Sequence, residues 1–327
     1  MGNIDLETPW VEKYRPHSFD DLVSQNIAIT NLKQFVQKGN MPHLIFTGPA
    51  GTGKTSTALI VAQSMLEPEN YALNVLELNA SDTVRMEYVR TIIKDFVNQK
   101  MVSGKRNLKF ILLDEADNIP GQVQQALRRI IEKTSTKVKF ILMCNYINKI
   151  IDPIISRCAV IRFSNLSKDN IIKRLKHIVA SENLKMPGKS ISEFYEILYF
   201  ISGGDLRKAI NTLQMAVALE LIENINLDEI FKISGFVTNN TIKELIDVIK
   251  KGEIERVKEI VLSIENLDSR NFIRQIIQIL PDLNLKKEGL DNIIAFFGDI
   301  DYRISQGSDE MIQIVALIAE IMDNIQH

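Results

Sequence analysis

The chain has 327 residues, 45% of them hydrophobic and 24% charged, with a net charge of −2 at pH 7. That length makes two or three domains the starting expectation, and the composition is that of a globular protein rather than a disordered one. No apolar run approaches the ~20 residues of a membrane span and the polar N-terminus does not read as a signal peptide; Cys144 and Cys158 are too few for a disulfide framework, and His17, His43, His177 and His327 lack metal-ligand spacing, so an intracellular globular protein with no membrane association is expected.

Five short apolar runs predict strands: His43–Thr47, Asn74–Leu78, Lys109–Leu113, Lys139–Cys144 and Ala159–Phe163. They are continuous rather than alternating, as in strands buried on both faces. Amphipathic stretches at Lys54–Leu66, Met86–Gln99 and Gln122–Glu132 separate them, and this alternation predicts a parallel, doubly wound α/β sheet. Beyond Phe163 three helices are expected, Ser167–Glu182, Ser190–Ile201 and Asp205–Glu220, with Ser167 and Asp205 as N-caps and Gly203-Gly204 as a break. From Phe236 the periodicity stays helical, punctuated at Gly252, Pro281 and Gly307. Three units follow: a nucleotide-binding core over 1–164, a helical lid over 165–235 and an all-helical domain over 236–327. Residues 236–327 carry ten Lys/Arg against sixteen Asp/Glu, leaving +4 for residues 1–235. An anionic partner would therefore meet the front of the chain, although fluctuation over solvated faces would leave the same asymmetry.

The strand His43–Thr47 runs into Gly48-Pro49-Ala50-Gly51-Thr52-Gly53-Lys54-Thr55-Ser56, which opens a helix. A strand, a glycine-rich loop and a helix in this order form a phosphate cradle of backbone N–H groups, so the chain is expected to bind ATP or GTP with Mg²⁺. Lys54 would reach the terminal phosphates, and the Thr55 hydroxyl would bind the metal. The strand Phe110–Leu113 delivers Asp114 to its C-terminal end, where it would complete the Mg²⁺ shell; Glu115 beside it could activate a water, which argues for hydrolysis and not binding alone. Asn145 ends the next strand, a position that in a parallel sheet lies near the γ-phosphate.

Seven motifs in one order carry a more specific resemblance: Trp10-Val-Glu-Lys-Tyr-Arg-Pro16, the phosphate loop, Leu78-Asn-Ala-Ser-Asp82, Leu113-Asp-Glu-Ala-Asp117, Gln124-Gln-Ala-Leu-Arg-Arg129, Ser156-Arg-Cys158 and Gly203-Gly-Asp-Leu-Arg-Lys208. The chain resembles the small subunits of replication factor C, the sliding-clamp loaders among the AAA+ ATPases. That resemblance implies an AAA+ core with a five-stranded parallel sheet, a three-helix lid and a helical oligomerising collar. It implies ATP and Mg²⁺ as cofactors. It also implies sister subunits in a hetero-pentamer, a ring-shaped sliding clamp, and primer–template DNA held by its backbone during replication and repair.

By the same resemblance Val11, Tyr14, Arg15 and Pro16 belong to a segment that wraps the adenine, Asn145 is similar to sensor 1 and Arg207 to sensor 2. Arg157 is similar to the arginine finger, which would act in trans on ATP held by the neighbouring subunit. Arg128 and Arg129 resemble residues that couple DNA contact and the subunit interface to the site. Residues 81–109 carry seven Lys/Arg against three Asp/Glu, and there Arg90 matches a DNA-contacting position, with Lys149 a further candidate. The chain departs from the family where Thr83-Val84-Arg85-Met86 replaces the usual Arg-Gly, so Arg85 would have to substitute for the lost contact. Asn118–Gly121 matches the clamp-touching region, although its Pro120-Gly121 is unusual there. Gly39-Asn-Met-Pro-His43 resembles the eukaryotic small subunits, whereas Cys144-Asn-Tyr146 resembles the archaeal one, and a viral copy fits as well. A nuclear site is expected for a eukaryotic host and a cytoplasmic one for an archaeon. Two alternatives remain: a non-hydrolysing scaffold subunit of the same kind of complex, or another AAA+ DNA-remodelling ATPase.

Overall fold

The computed structural model describes residues 8–81, 86–99, 107–134, 136–186, 191–222, 225–264, 267–283 and 285–325, with the side chains of 86–90 and 287–288 excepted. The chain divides into two compact units, one of Met1–Lys185 with Tyr195–Met215, the other of Met186–Phe194 with Ala216–His327.

In the first unit, helices α1 (Trp10–Lys13) and α2 (Asn26–Lys38) precede strand β1 (His43–Thr47). There follow α3 (Lys54–Met65), α4 (Tyr71–Asn74), β2 (Val75–Asn79), α5 (Met86–Asn98), β3 (Lys109–Asp114), α6 (Gly121–Thr134), β4 (Val138–Cys144), α7 (Asp152–Ile155) and β5 (Cys158–Arg162). Among the described residues the five strands form one sheet in the order β2-β3-β4-β1-β5, and each neighbouring pair is parallel. Side chains leave it alternately to either face: Ile45, Ile111, Leu113, Phe140 and Leu142 enter one core, while Leu44, Phe46, Phe110, Leu112, Ile141 and Met143 enter the other. Both faces are covered, which is why the strand sequences read as continuous apolar runs.

The strands occupy nearly the expected positions. β2 ends one residue later than the apolar pattern, because Asn79 pairs with Asp114, and β5 begins at Cys158, which pairs with His43. Three helices follow: α8 (Lys168–Ser181), α9 (Ile191–Ser202) and α10 (Leu206–Ala218). Asp205 caps α10 by accepting the Lys208 N–H at 3.1 Å, whereas Ser167 makes no side-chain capping bond although its backbone is extended at the N-cap.

His43 is buried at the N-terminal end of β1. Its Nδ1 accepts the Phe140 N–H at 3.1 Å, and among the described residues its Nε2 has no hydrogen-bond partner. Burial, with the nearby Lys139 charge, pushes its pKa from 6.5 down to about 4. Because the folded value lies below the unfolded one, the neutral ring favours the fold, fully above pH 6.5, and that contribution is lost as pH falls towards 4. The two ends differ by at most about 3 kcal/mol. His43→Asn retains an acceptor for Phe140 at the position of Nδ1 without a titrating ring, so its melting temperature should fall less steeply than the native protein's between pH 6.5 and 4; equal slopes would show that His43 is not the titrating group.

The second unit holds α11 (Leu227–Ile233), α12 (Asn239–Lys251), α13 (Ile254–Leu262), α14 (Ser269–Ile279), α15 (Lys287–Ser305) and α16 (Glu310–Asp323). Leu245, Ile249, Val257, Phe272, Ile276, Ile314, Leu317 and Ile318 share its core. Thr238, Asp268 and Asp309 cap α12, α14 and α16, and Gly252 ends α12 in the left-handed conformation. Gln275 bonds both the N–H and the carbonyl of Val237, fixing the segment that leads into α12 against α14. No helix among the described residues is long and apolar enough to cross a membrane.

Candidate nucleotide site

Parallel pairing brings the C-terminal ends of β1, β3 and β4 to one edge of the sheet. Thr47 is paired with Cys144, so Gly48 and Asn145 leave adjacent strands side by side, and the Gly48 N–H donates to the Cys144 carbonyl at 3.2 Å. The loop after β1 bends back through positive φ at Gly48, Gly51 and Gly53. Gly51 is further constrained because a Cβ there would lie 1.6 Å from Asp205 Oδ1, while its carbonyl accepts the Leu206 N–H at 3.3 Å. The loop is thereby joined directly to the start of α10.

Lys54 is 8% exposed, and its ammonium donates to the carbonyls of Gly48 (2.7 Å) and Pro49 (2.8 Å) and to Asn145 Oδ1 (2.9 Å). Burial lowers its pKa, opposed by the charges of Asp114 and Asp117. At the next residue, the Thr55 hydroxyl donates to Asp114 Oδ2 at 2.6 Å, and Asp114 Oδ1 accepts the Glu115 N–H at 2.9 Å. Glu115 turns off the strand at φ 52°, a left-handed conformation that non-glycine residues seldom adopt, and its carboxylate accepts from Asn118 Nδ2 at 3.2 Å.

The cleft over this edge is lined by Val11, Tyr14, Arg15 and Pro16, by residues 50–57, and by Asp114, Glu115, Asn145 and Arg207. Gly48 and Pro49 contribute beneath it, through the carbonyls that hold Lys54. The segment at Val11–Pro16 is anchored from several sides. Trp10 is fully buried and its backbone N–H donates to Gln214 Oε1 at 2.8 Å; Glu182 takes both the Tyr14 hydroxyl and the Lys13 ammonium at 2.6 Å; Arg174 donates to the Tyr14 carbonyl at 2.6 Å. Burial, with the Glu182 bond, raises the Tyr14 pKa well above its usual value.

Two contributors were not singled out from the sequence. Arg174 lines the cleft from α8, where it stands among the buried Ile171, Leu175 and Ile178; a charge within an apolar helical stripe was the available signal. Asp117 lies at the end of the acidic box, and its Oδ2 accepts the N–H groups of Asn145 (3.3 Å) and Tyr146 (3.2 Å), which orients the side chain that meets Lys54. Its position could be read from the sequence, but its partners, 28 and 29 residues away, could not.

Other candidates lie elsewhere. Arg157 is not among the cleft-lining residues; it stands just beyond α7, paired with Glu132 at 2.6 Å. Lys149 is exposed, with its ammonium over the Tyr146 ring at 5.2 Å. Arg85, with the departure at Thr83–Arg85, and the side chain of Arg90 fall outside the described residues.

A phosphate loop, an acidic strand end and a polar residue ending the adjacent strand, on a β2-β3-β4-β1-β5 parallel sheet, define an ATP-hydrolysing enzyme of the AAA+ class. Residues 44–166 match the family model of the ATPase family associated with various cellular activities, and residues 237–320 match the replication factor C C-terminal domain. The chain is 39% identical over 315 residues to replication factor C small subunit 1 of Pyrobaculum arsenaticum, covering 95% of this chain and 93% of that protein. It is equally identical to the small subunit of Archaeoglobus fulgidus, with 98% of each covered. Among solved structures, the Thermotoga maritima RuvB Holliday junction branch migration motor aligns with a TM-score of 0.53 at 17% identity over 74% of this chain and 80% of that one, a likeness of fold alone. The chain belongs to the replication factor C small-subunit family, the ATPase subunits of sliding-clamp loaders.

Proposed function

We propose that this chain is a hydrolysing motor subunit of a hetero-pentameric clamp loader, which opens a ring-shaped sliding clamp and grips primer–template DNA by its backbone in replication and repair. The observation that carries the reading is the joining of Lys54, Asn145, Thr55, Asp114 and Glu115 in one cleft, since a scaffold that only binds nucleotide has no need of Glu115 beside Asp114. Lys54 and the loop N–H groups bind the ATP phosphates, with Asn145 positioned at the terminal one. Arg207 contacts ATP from the lid, and Val11–Pro16 wraps the adenine.

The Thr55 hydroxyl and Asp114 carboxylate, 2.6 Å apart, are hard oxygen donors suited to Mg²⁺. When bound there, the ion neutralises charge on the phosphate oxygens. Glu115 orients the attacking water and receives its proton. Arg157 completes the site of the neighbouring subunit, so that hydrolysis depends on assembly.

The core over 1–164, the lid over 165–235 and the collar over 236–327 divide this work. Exposed Ile294, Tyr302 and Ile312 support the collar's role in packing against sister subunits. Arg85, Arg90 and Lys149 supply phosphate contacts, which carry no base specificity and suit a machine acting at any junction. The archaeal origin of the named relatives favours a cytoplasmic site. Co-purification of the tagged chain from its native source tests the reading: sister subunits and a sliding clamp should be recovered, and recovery of neither would overturn it.

A further inference from the structure

Three charged side chains meet outside the cleft, at the C-terminal end of α6. Glu132 Oε1 accepts from Arg157 Nη2 at 2.6 Å and from Arg128 Nε at 3.0 Å. Arg157 Nη1 donates to the Pro153 carbonyl at 2.7 Å and to Ser156 Oγ at 3.2 Å. The scaffold beneath is rigid. Leu127 and Ile131 of α6 share a core with Ile150 and Ile154, and the buried Gln124 amide bonds the carbonyls of Ile119 and Lys149 and the N–H of Ile151. The spacing between α6 and the segment carrying Arg157 is thus fixed by packing, while the charged tips above it reach solvent. The side chains of Arg128, Glu132 and Arg157 are 38%, 35% and 36% exposed, so water screens the pair and it is not a buried strut.

We propose that Glu132 parks the Arg157 guanidinium against its own subunit and yields it to the phosphates of ATP on the neighbouring subunit, with Arg128 retaining the carboxylate. The inference rests on reading Arg157 as acting in trans. A guanidinium fork fits a carboxylate and a phosphate with the same geometry, so one anion replaces another without refolding. Arg128 stands one turn before Glu132 on the same helix face, so the departing Arg157 leaves no unpaired charge behind. The hydrogen bond and charge of Arg128, joined by Arg157, also hold the Glu132 carboxyl below the usual carboxylate range and keep it ionised. Glu132 is in this sense a positioning residue. It opposes engagement until a correctly placed phosphate outcompetes it, which ties turnover more tightly to completed assembly.

The test uses Glu132→Gln in the assembled complex. Removing one exposed ion pair should raise kcat for DNA-independent hydrolysis about two- to fivefold, with KM, nucleotide affinity at this chain's own site and melting temperature unchanged. The gain should vanish in the E132Q/R157A double variant, which should match R157A. An unchanged or lowered kcat in E132Q, with R157A still impaired, would overturn the parking role and leave the in-trans reading standing. A gain that persists in the double variant would overturn parking as well. Wild-type turnover in R157A would instead sink the in-trans reading, and this inference with it.

Discussion

An assembled complex carrying Arg157→Ala in this chain is expected to hydrolyse ATP at the neighbouring site about 10³–10⁵-fold more slowly. Nucleotide binding at the chain's own site should stay within about twofold. The expectation follows from position. Arg157 sits on the turn after α7, is absent from the residues lining its own cleft, and takes its contacts from Pro153, Ser156 and Glu132. On the in-trans reading proposed above, a guanidinium so placed neutralises transition-state charge on phosphates brought by another subunit. Single-turnover hydrolysis in the assembled complex, with nucleotide titration of the isolated subunit alongside, separates the two effects. Loss of the subunit's own nucleotide binding would show that Arg157 belongs to its own site and that the in-trans assignment is wrong. Arg157→Lys should recover little, because a lysine keeps the charge but lacks the fork that grips two phosphate oxygens.

The second large effect is expected at Glu115. Glu115→Gln keeps the side chain's size and its reach towards Asn118 but can no longer take a proton from water. Turnover at this site should drop about 10²–10⁴-fold, while ATP affinity stays equal or tightens. Because the Glu115 backbone N–H, and not its side chain, bonds Asp114, the hydrogen-bonded pair of Thr55 and Asp114, proposed above to hold Mg²⁺, should survive the change. Measurement needs a complex in which this subunit's site is the one turning over. An unchanged steady-state rate there would favour the scaffold reading, in which nucleotide is held and not consumed.

Much of the candidate nucleotide site is legible directly in the residues. Gly48–Thr55 carries its own geometry, since left-handed glycines and a helix start are local properties, and Phe110–Leu113 announces a buried strand that ends in acids. Asn145 needed one further step, from strand end to sheet edge, which depends on β4 lying parallel beside β1. The N-caps differ: Ser167 and Asp205 have equally suitable side chains, yet only Asp205 makes the capping bond. Asp205 is held beside the Gly51 loop.

The sequence by itself therefore determined what depends on neighbours in the chain: the phosphate loop, the acidic strand end, the alternation of strands and helices, and a family order of motifs that a near-full-length likeness supports. The tertiary structure alone decided what depends on register and packing. It set Asn145 against Lys54, put Asp117 behind Asn145, brought Arg174 over the cleft to hold Tyr14, and gave Arg157 to Glu132, 25 residues before it. Local conformation follows from propensity and spacing over a few residues, whereas these contacts join residues far apart in the chain and exist only once tertiary packing has brought them together.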